Sequence, residues 1–320
     1  MLALVCPGQG SQSPGFLAPW LELPGVEEQL ATFSEASGTD LRAHGTVSDA
    51  ETIRDTAVAQ PLIVSASLVA LTAVLEGREP ADVVDVTAGH SVGELTAAAV
   101  AGVLDPAGAV GLVTARARAM AAAAALEPTG MAAVVGGDPQ EVLAAIDAAG
   151  AFPANVNGGG QVVAAGSLPA LARLAEAAPA KARMIPLQVA GAFHTPFMQP
   201  ALDAFGQVAA GWAAQAPRLT LLSDADGAAY GPGTTGSDVL ARLAAQVVAP
   251  VRWDLCQQTM HDLGVTGLIE LAPAGVLVGL ARRSLPGVET VAVKGPADLD
   301  AARDLIARHS GTTTDEETPA

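Results

Sequence analysis

The stretch DVVDVTAGHSVGELTAAAVAGVL, residues 82–104, decides the fold. Its first part, DVVDVTAG (82–89), is apolar and rich in valine and predicts a strand, while VGELTAAAVAGVL (92–104) predicts a helix. Between them, Gly89-His90-Ser91-Val92-Gly93 fits Gly-x-Ser-x-Gly. The pattern is common by chance, and a serine in a glycine-rich turn needs no chemistry. An apolar strand before it and a helix after it are, however, the setting of a nucleophile elbow. The glycines let the backbone turn sharply and the turn projects the hydroxyl beyond the strand end. The helix N-terminus aims N–H groups and a partial positive charge at it. Ser91 is thus a candidate nucleophile and the Val92 N–H a candidate oxyanion donor.

Outward from this unit, short β-type runs alternate with helical ones, which favours an α/β fold. LALVCPG (2–8) predicts a first strand, and QPLIVSASLVALTAVLEG (60–77) and PAGAVGLVTARARAMAAAAALE (106–127) predict helices. Between about 130 and 191 the runs follow the order β-α-β-β-α-β, the ferredoxin-like arrangement, whose ends lie close enough together for insertion into another domain. Strands are expected in LTLLSDADG (219–227) and TGLIELAP (266–273), and helices in SDVLARLAAQVV (237–248) and DLCQQTMHDLG (254–264). The expected organisation is an α/β-hydrolase-like catalytic domain with a mostly parallel sheet, residues 1–128 and 193–310, interrupted by a ferredoxin-like subdomain, residues 129–192. The polar, acidic end GTTTDEETPA (311–320) is expected to be disordered.

Composition narrows the function. A formal net charge of −17 argues against nucleic-acid binding, which depends on neutralising phosphates with Lys and Arg. Mean hydropathy is +0.39, yet no run reaches the roughly 18 unbroken apolar residues of a membrane span. The N-terminus lacks the basic region of a secretory signal, so a soluble, cytoplasmic protein is expected. Cys6 and Cys256 read as small buried residues and no cluster has metal-ligand spacing.

A serine nucleophile needs a base within hydrogen-bond reach. Of the five histidines, His90 reads as a packed, hydrogen-bonded residue, His261 and His309 as surface residues, and His44 as part of a loop. His194, in VAGAFHTPFMQP (189–200), follows a predicted strand in the return to the main domain, where catalytic residues gather. No acidic residue is clearly placed to complete a triad. A second glycine-rich turn, PGQGSQSPG (7–15), lacks the lysine of a phosphate loop and the spacing of a dinucleotide fingerprint. It is either an empty tight turn or the source of a second oxyanion donor.

Together these pieces resemble the malonyl-CoA:acyl carrier protein transacylases and the related acyltransferase domains of polyketide synthases. The resemblance spans about residues 2–308 and rests on six motifs in order: PGQGSQ (7–12), GHSVGE (89–94), the arginine of LVTARARAM (112–120), NVNGGGQVVAAG (155–166), GAFHTPFM (191–198) and QVVAPVRW (246–253). It implies Ser91 as the acylated serine, His194 as general base, the Gln9 and Val92 N–H groups as the oxyanion hole, Arg116 as the partner of the malonyl carboxylate, and the Gln246 carbonyl as the group that orients His194. A dyad with a carbonyl orienter accounts for the missing acid. Gly158-Gly159 stands where many relatives carry Ser-Pro, and Pro273-Ala274 where Pro-Gly is usual.

The implied activity is ping-pong transfer of malonyl from malonyl-CoA to the phosphopantetheine thiol of an acyl carrier protein, for fatty acid or polyketide synthesis, by a monomer without cofactor or metal. The alternatives are an α/β-type serine hydrolase or thioesterase, and a catalytically idle carrier-binding subunit. Carrier proteins are typically acidic, as is this chain, so a basic patch near the site is expected from Arg242, Arg252, Arg282, Arg283 and Lys181.

Overall fold

Two sheets organise the chain, in a computed structural model that describes residues 1–310. The end for which disorder is expected, 311–320, lies outside the described residues. The strands are β1 (Leu2–Cys6), β2 (Val86–Gly89), β3 (Thr129–Gly136), β4 (Phe152–Gly158), β5 (Gln161–Ser167), β6 (Ala182–Pro186), β7 (Thr220–Leu221), β8 (Gly267–Glu270) and β9 (Glu289–Ala292). The first sheet runs β7-β2-β1-β8-β9 with every pair parallel. Its central strands are buried on both faces, which is why LALVC is apolar throughout instead of alternating. Cys6 pairs with Gly89, so the loops after β1 and β2 leave the sheet side by side at its carboxyl end, where open parallel sheets bind ligands. Both cysteines are free and buried.

The second sheet is antiparallel in the order β4-β5-β3-β6, the spatial arrangement of a ferredoxin-like β-α-β-β-α-β unit. Alternation along its strands sends Val134, Val162 and Ala164 to a small core under the helices Pro139–Ala148 and Leu168–Glu176. Met131, Ala133, Val163 and Ala165 face the opposite way and join the main core.

The helix Thr56–Leu75 is long and apolar enough to cross a membrane by length and composition alone. Most of it is buried inside the protein, as expected for a helix that is apolar all round. The Asp55 carboxylate caps it by accepting the Ala57 N–H. The helix Pro106–Ala124 packs beside it and carries Arg116.

Several expectations are corrected. Residues 82–89 are not one strand. Pro80 opens a single helical turn, Pro80–Val83, and only Val86–Gly89 joins the sheet. LTLLSDADG yields only the two-residue β7, because the chain bends back through a bridge between Leu222 and Ala229. His44 lies on the helix Leu41–Thr46, capped by Asp40, and its Nδ1 meets the Ser48 hydroxyl at 3.0 Å. His309 is half-buried, with Nε2 3.0 Å from Glu289 and Nδ1 2.9 Å from the Thr266 hydroxyl. His261 is exposed, as read.

Candidate active site

The turn between β2 and the helix Gly93–Val100 is tight enough that two of its residues must be glycine. A Cβ on Gly89 would lie 2.0 Å from the Gly93 backbone, and one on Gly93 would lie 2.2 Å from the Cys6 carbonyl oxygen. Ser91 sits between them at φ 55°, a left-handed conformation that non-glycine residues adopt at a cost and that clusters at functional sites. The turn is closed by the His90 N–H donating to the Cys6 carbonyl and the Gly93 N–H donating to the His90 carbonyl, both at 3.0 Å.

His194 reaches this serine from the loop after β6. Its Nε2 lies 2.7 Å from Ser91 Oγ, and its Nδ1 3.2 Å from the Gln246 carbonyl oxygen. A carbonyl only accepts, so Nδ1 carries the proton and Nε2 is the free lone pair facing the hydroxyl. The imidazole is buried, and its own backbone is also left-handed, at φ 62°. Burial foremost, then the charge of Arg116, pushes the imidazole down to about 3, so it is neutral at physiological pH. A neutral imidazole oriented by a carbonyl can take the serine proton without a third acid.

Arg116 is 1% exposed. Its Nη1 donates to Gln60 Oε1 at 2.8 Å and its Nη2 to Ser91 Oγ at 3.3 Å. Among the described residues no carboxylate forms an ion pair with it, although Glu94 and Asp224 are near enough to act on it through space. Burial pushes the guanidinium down to about 10, which leaves it charged at neutral pH. A buried cation without a counter-ion is costly unless an anion arrives. Arg118 is exposed and donates to the Ser37 carbonyl.

A cavity of ≈ 270 Å³ opens over Ser91 and His194. Gln9 and Gly10 from the loop after β1, Gln60, and Asn155 and Asn157 from β4 supply polar edges, while Met131, Val163, Leu187 and Leu280 supply apolar wall. The antiparallel sheet therefore forms one side of the site. The Gln9 and Val92 N–H groups have no intramolecular acceptor among the described residues, so both remain available to an oxyanion. His90 is packed, as read: Nε2 meets Asn157 Oδ1 at 2.9 Å, and the ring lies edge-on to Trp253.

Three buried residues that join this site escaped the sequence reading. Gln60 is a polar residue in an otherwise apolar helix, and that contrast was a usable signal. Glu94 and Asp224 are fully enclosed carboxylates behind the turn, and burial pushes both well above the ordinary range. Nothing in SDADG marks Asp224 as meeting residue 91. Of the basic residues expected near the mouth, Arg242 is paired with Asp226 and Arg252 with Asp254. Arg282 and Arg283 are exposed and unpaired among the described residues, in the last turn of the helix Val276–Ser284, whose Val276, Leu277 and Leu280 line the cavity. Lys181 is exposed in the turn before β6.

The sequence model of the acyl transferase domain matches residues 3–299. The malonyl CoA-acyl carrier protein transacylase of Mycobacterium tuberculosis is 50% identical over 310 residues, covering 95% of this chain and all of that protein. A crystal structure of MCAT from the same organism superposes with a TM-score of 0.88 over 95% of this chain and 99% of that one. A type II polyketide synthase acyl-carrier protein in complex with its malonyl-transacylase gives 0.87 at 30% identity, over 95% and 99% of the two chains. The matched region runs from β1 past β9 and includes both the turn that strains Ser91 and the loop that delivers His194, so this chain belongs to the acyl transferase domain family.

Proposed function

We propose that this protein transfers malonyl groups from malonyl-CoA to the phosphopantetheine thiol of an acyl carrier protein. The observation that carries the choice of acyl group is Arg116, a buried guanidinium that has no ion-pair partner among the described residues and that hydrogen-bonds the nucleophile itself. A carboxylate two carbons beyond an acyl-serine carbonyl is the anion that such a group would hold, through two parallel hydrogen bonds.

His194 Nε2 takes the Ser91 proton as Oγ attacks the thioester carbonyl. The Gln9 and Val92 N–H groups hold the resulting oxyanion. The C–S bond breaks, CoA leaves with the proton returned by His194, and malonyl-serine remains. The carrier thiol then gives its proton to His194 and attacks the ester, and collapse restores Ser91 Oγ–H. The apolar wall of the cavity suits an acyl-pantetheine arm. Intact-mass measurement after mixing with malonyl-CoA tests this: one added malonyl group that moves to carrier protein is expected. Free malonate without carrier would mark a hydrolase instead.

Arg116→Ala is expected to lower kcat/KM for malonyl-CoA by about tenfold to a hundredfold per charged hydrogen bond lost, while acetyl transfer falls far less. Parallel rates with both donors measure the ratio, and equal losses would remove Arg116 from the carboxylate site.

The charge problem of two acidic partners meets Arg282 and Arg283, unpaired among the described residues on the helix that lines the cavity. Arg282→Glu with Arg283→Glu is expected to raise the apparent KM for carrier protein several-fold, with the KM for malonyl-CoA unchanged. An unselective change in steady-state kinetics would place docking elsewhere.

A further inference from the structure

We propose that Asp224 is a positioning residue for acyl transfer, one that fixes the nucleophile turn by accepting the Ser91 N–H and is itself fixed by Glu94. The proposal rests on the reading of Ser91 as the acylated serine.

The left-handed backbone at Ser91 persists only if its surroundings over-determine it. The bonds that close the turn come from His90, Gly93 and Glu94, whose N–H groups donate to Cys6, His90 and Ser91 carbonyls. None of them engages the Ser91 N–H. That donor is met by Asp224 Oδ2 at 2.5 Å, across 133 positions of sequence. Asp224 is in turn held by its backbone. Its N–H donates to Glu94 Oε1 at 2.9 Å, and its carbonyl accepts the Arg252 N–H at 2.7 Å.

The two segments therefore staple each other reciprocally. A side chain from the 224 loop takes a backbone donor of the turn, and a side chain from the first turn of the following helix takes a backbone donor of the 224 loop. Asp224 is 0% and Glu94 4% exposed. Two enclosed carboxylates are expensive, and hydrogen bonding to backbone N–H groups is what offsets that cost. The arrangement also divides the donors of the turn: with Ser91 N–H committed to Asp224, only Val92 N–H remains from the elbow for the oxyanion. Losing Asp224 frees the Ser91 peptide to rotate, and the 2.7 Å alignment of Oγ with His194 depends on that peptide.

A residue acting in this way affects the chemical step for every acyl donor, whereas Arg116 acts on the carboxylate of one. Asp224→Ala is expected to lower kcat by about tenfold or more with malonyl-CoA and acetyl-CoA alike, leaving KM for malonyl-CoA within about twofold. Asp224→Asn keeps an oxygen that can accept the same N–H, and is expected to recover most of that loss. Three results overturn the proposal: unchanged kcat in Asp224→Ala with only a lower Tm, an asparagine variant as slow as the alanine one, or a loss confined to malonyl. If Asp224→Ala does not fold, hydrogen exchange at the Ser91 amide decides the matter in the wild type and Asp224→Asn. Slow exchange in both supports the clamp and fast exchange in the wild type sinks it. The two readings fail separately, because a wild type that takes up no malonyl group removes the transferase assignment while amide exchange still reports on the clamp.

Discussion

Ser91→Ala is expected to take up no malonyl group from malonyl-CoA and to lower turnover by about 10⁴-fold or more, the scale on which loss of a covalent nucleophile registers. The lining of the cavity makes the expectation sharp. Among the described residues around it, Ser91 supplies the only hydroxyl, and there is no cysteine or threonine. An acyl group that still attached to the variant would have to sit on an imidazole of the lining, His90 or His194, or on a residue outside the cavity, and peptide mapping would show which. Binding should survive, because the apolar wall and Arg116 are untouched, although Arg116 loses one of its two hydrogen-bond acceptors. Intact mass and single-turnover kinetics therefore separate the lost chemistry from retained affinity for malonyl-CoA.

The parts of this site that were legible in sequence are those whose geometry is local. The strand, the glycines and the helix around Ser91 are consecutive, and steric need at Gly89 and Gly93 writes itself directly into residue choice. The ferredoxin-like unit was legible for the same reason, since each of its strands and helices alternates with a turn. Its spatial order follows from the known way such a unit closes. The meeting of Ser91 with His194 was not derivable from residues alone, and pattern resemblance supplied it. Asp224 lay beyond both routes: it falls in a run read as a strand, and nothing local to that run points to residue 91 until the fold brings the two together. The helix Val26–Ser37 is a different kind of miss, because Val26, Leu30 and Phe33 repeat at helical spacing and are buried together. That signal was present and went unread. The two-residue β7 shows the converse, an apolar run whose sheet pairing is cut short by a tertiary demand on the loop that follows.

His194 should make the enzyme's pH behaviour unlike that of an ordinary histidine enzyme. The imidazole is held down to about 3, first by burial and then by the Arg116 charge, so the free enzyme keeps its base neutral well below pH 6.5. The kcat/KM for malonyl-CoA is therefore expected to show no loss centred near 6.5 as pH falls from 8 to 5, and His194→Ala to lower it by about 10²–10⁴-fold throughout. Stability, unlike kcat/KM, does depend on pH in this range. Between the unfolded value near 6.5 and the folded value near 3, the unfolded chain binds the extra proton, so this group destabilises the fold as pH falls, by about 1.4 kcal/mol per pH unit. His90, also pushed down by burial, adds the same sign, whereas Glu94, Asp224 and Glu270, pushed up by burial, act the other way. The urea midpoints of wild type and His194→Ala at pH 5 and 7 isolate the single residue by difference. A base this weak is a poor acceptor for the serine proton, and the acyl group offers the remedy. A malonyl carboxylate on Arg116 cancels part of the charge that suppresses His194, which raises its basicity when the correct donor is bound. The acid limb of kcat is then expected at higher pH with malonyl-CoA than with acetyl-CoA; coincident limbs would show that Arg116 selects the donor by binding alone.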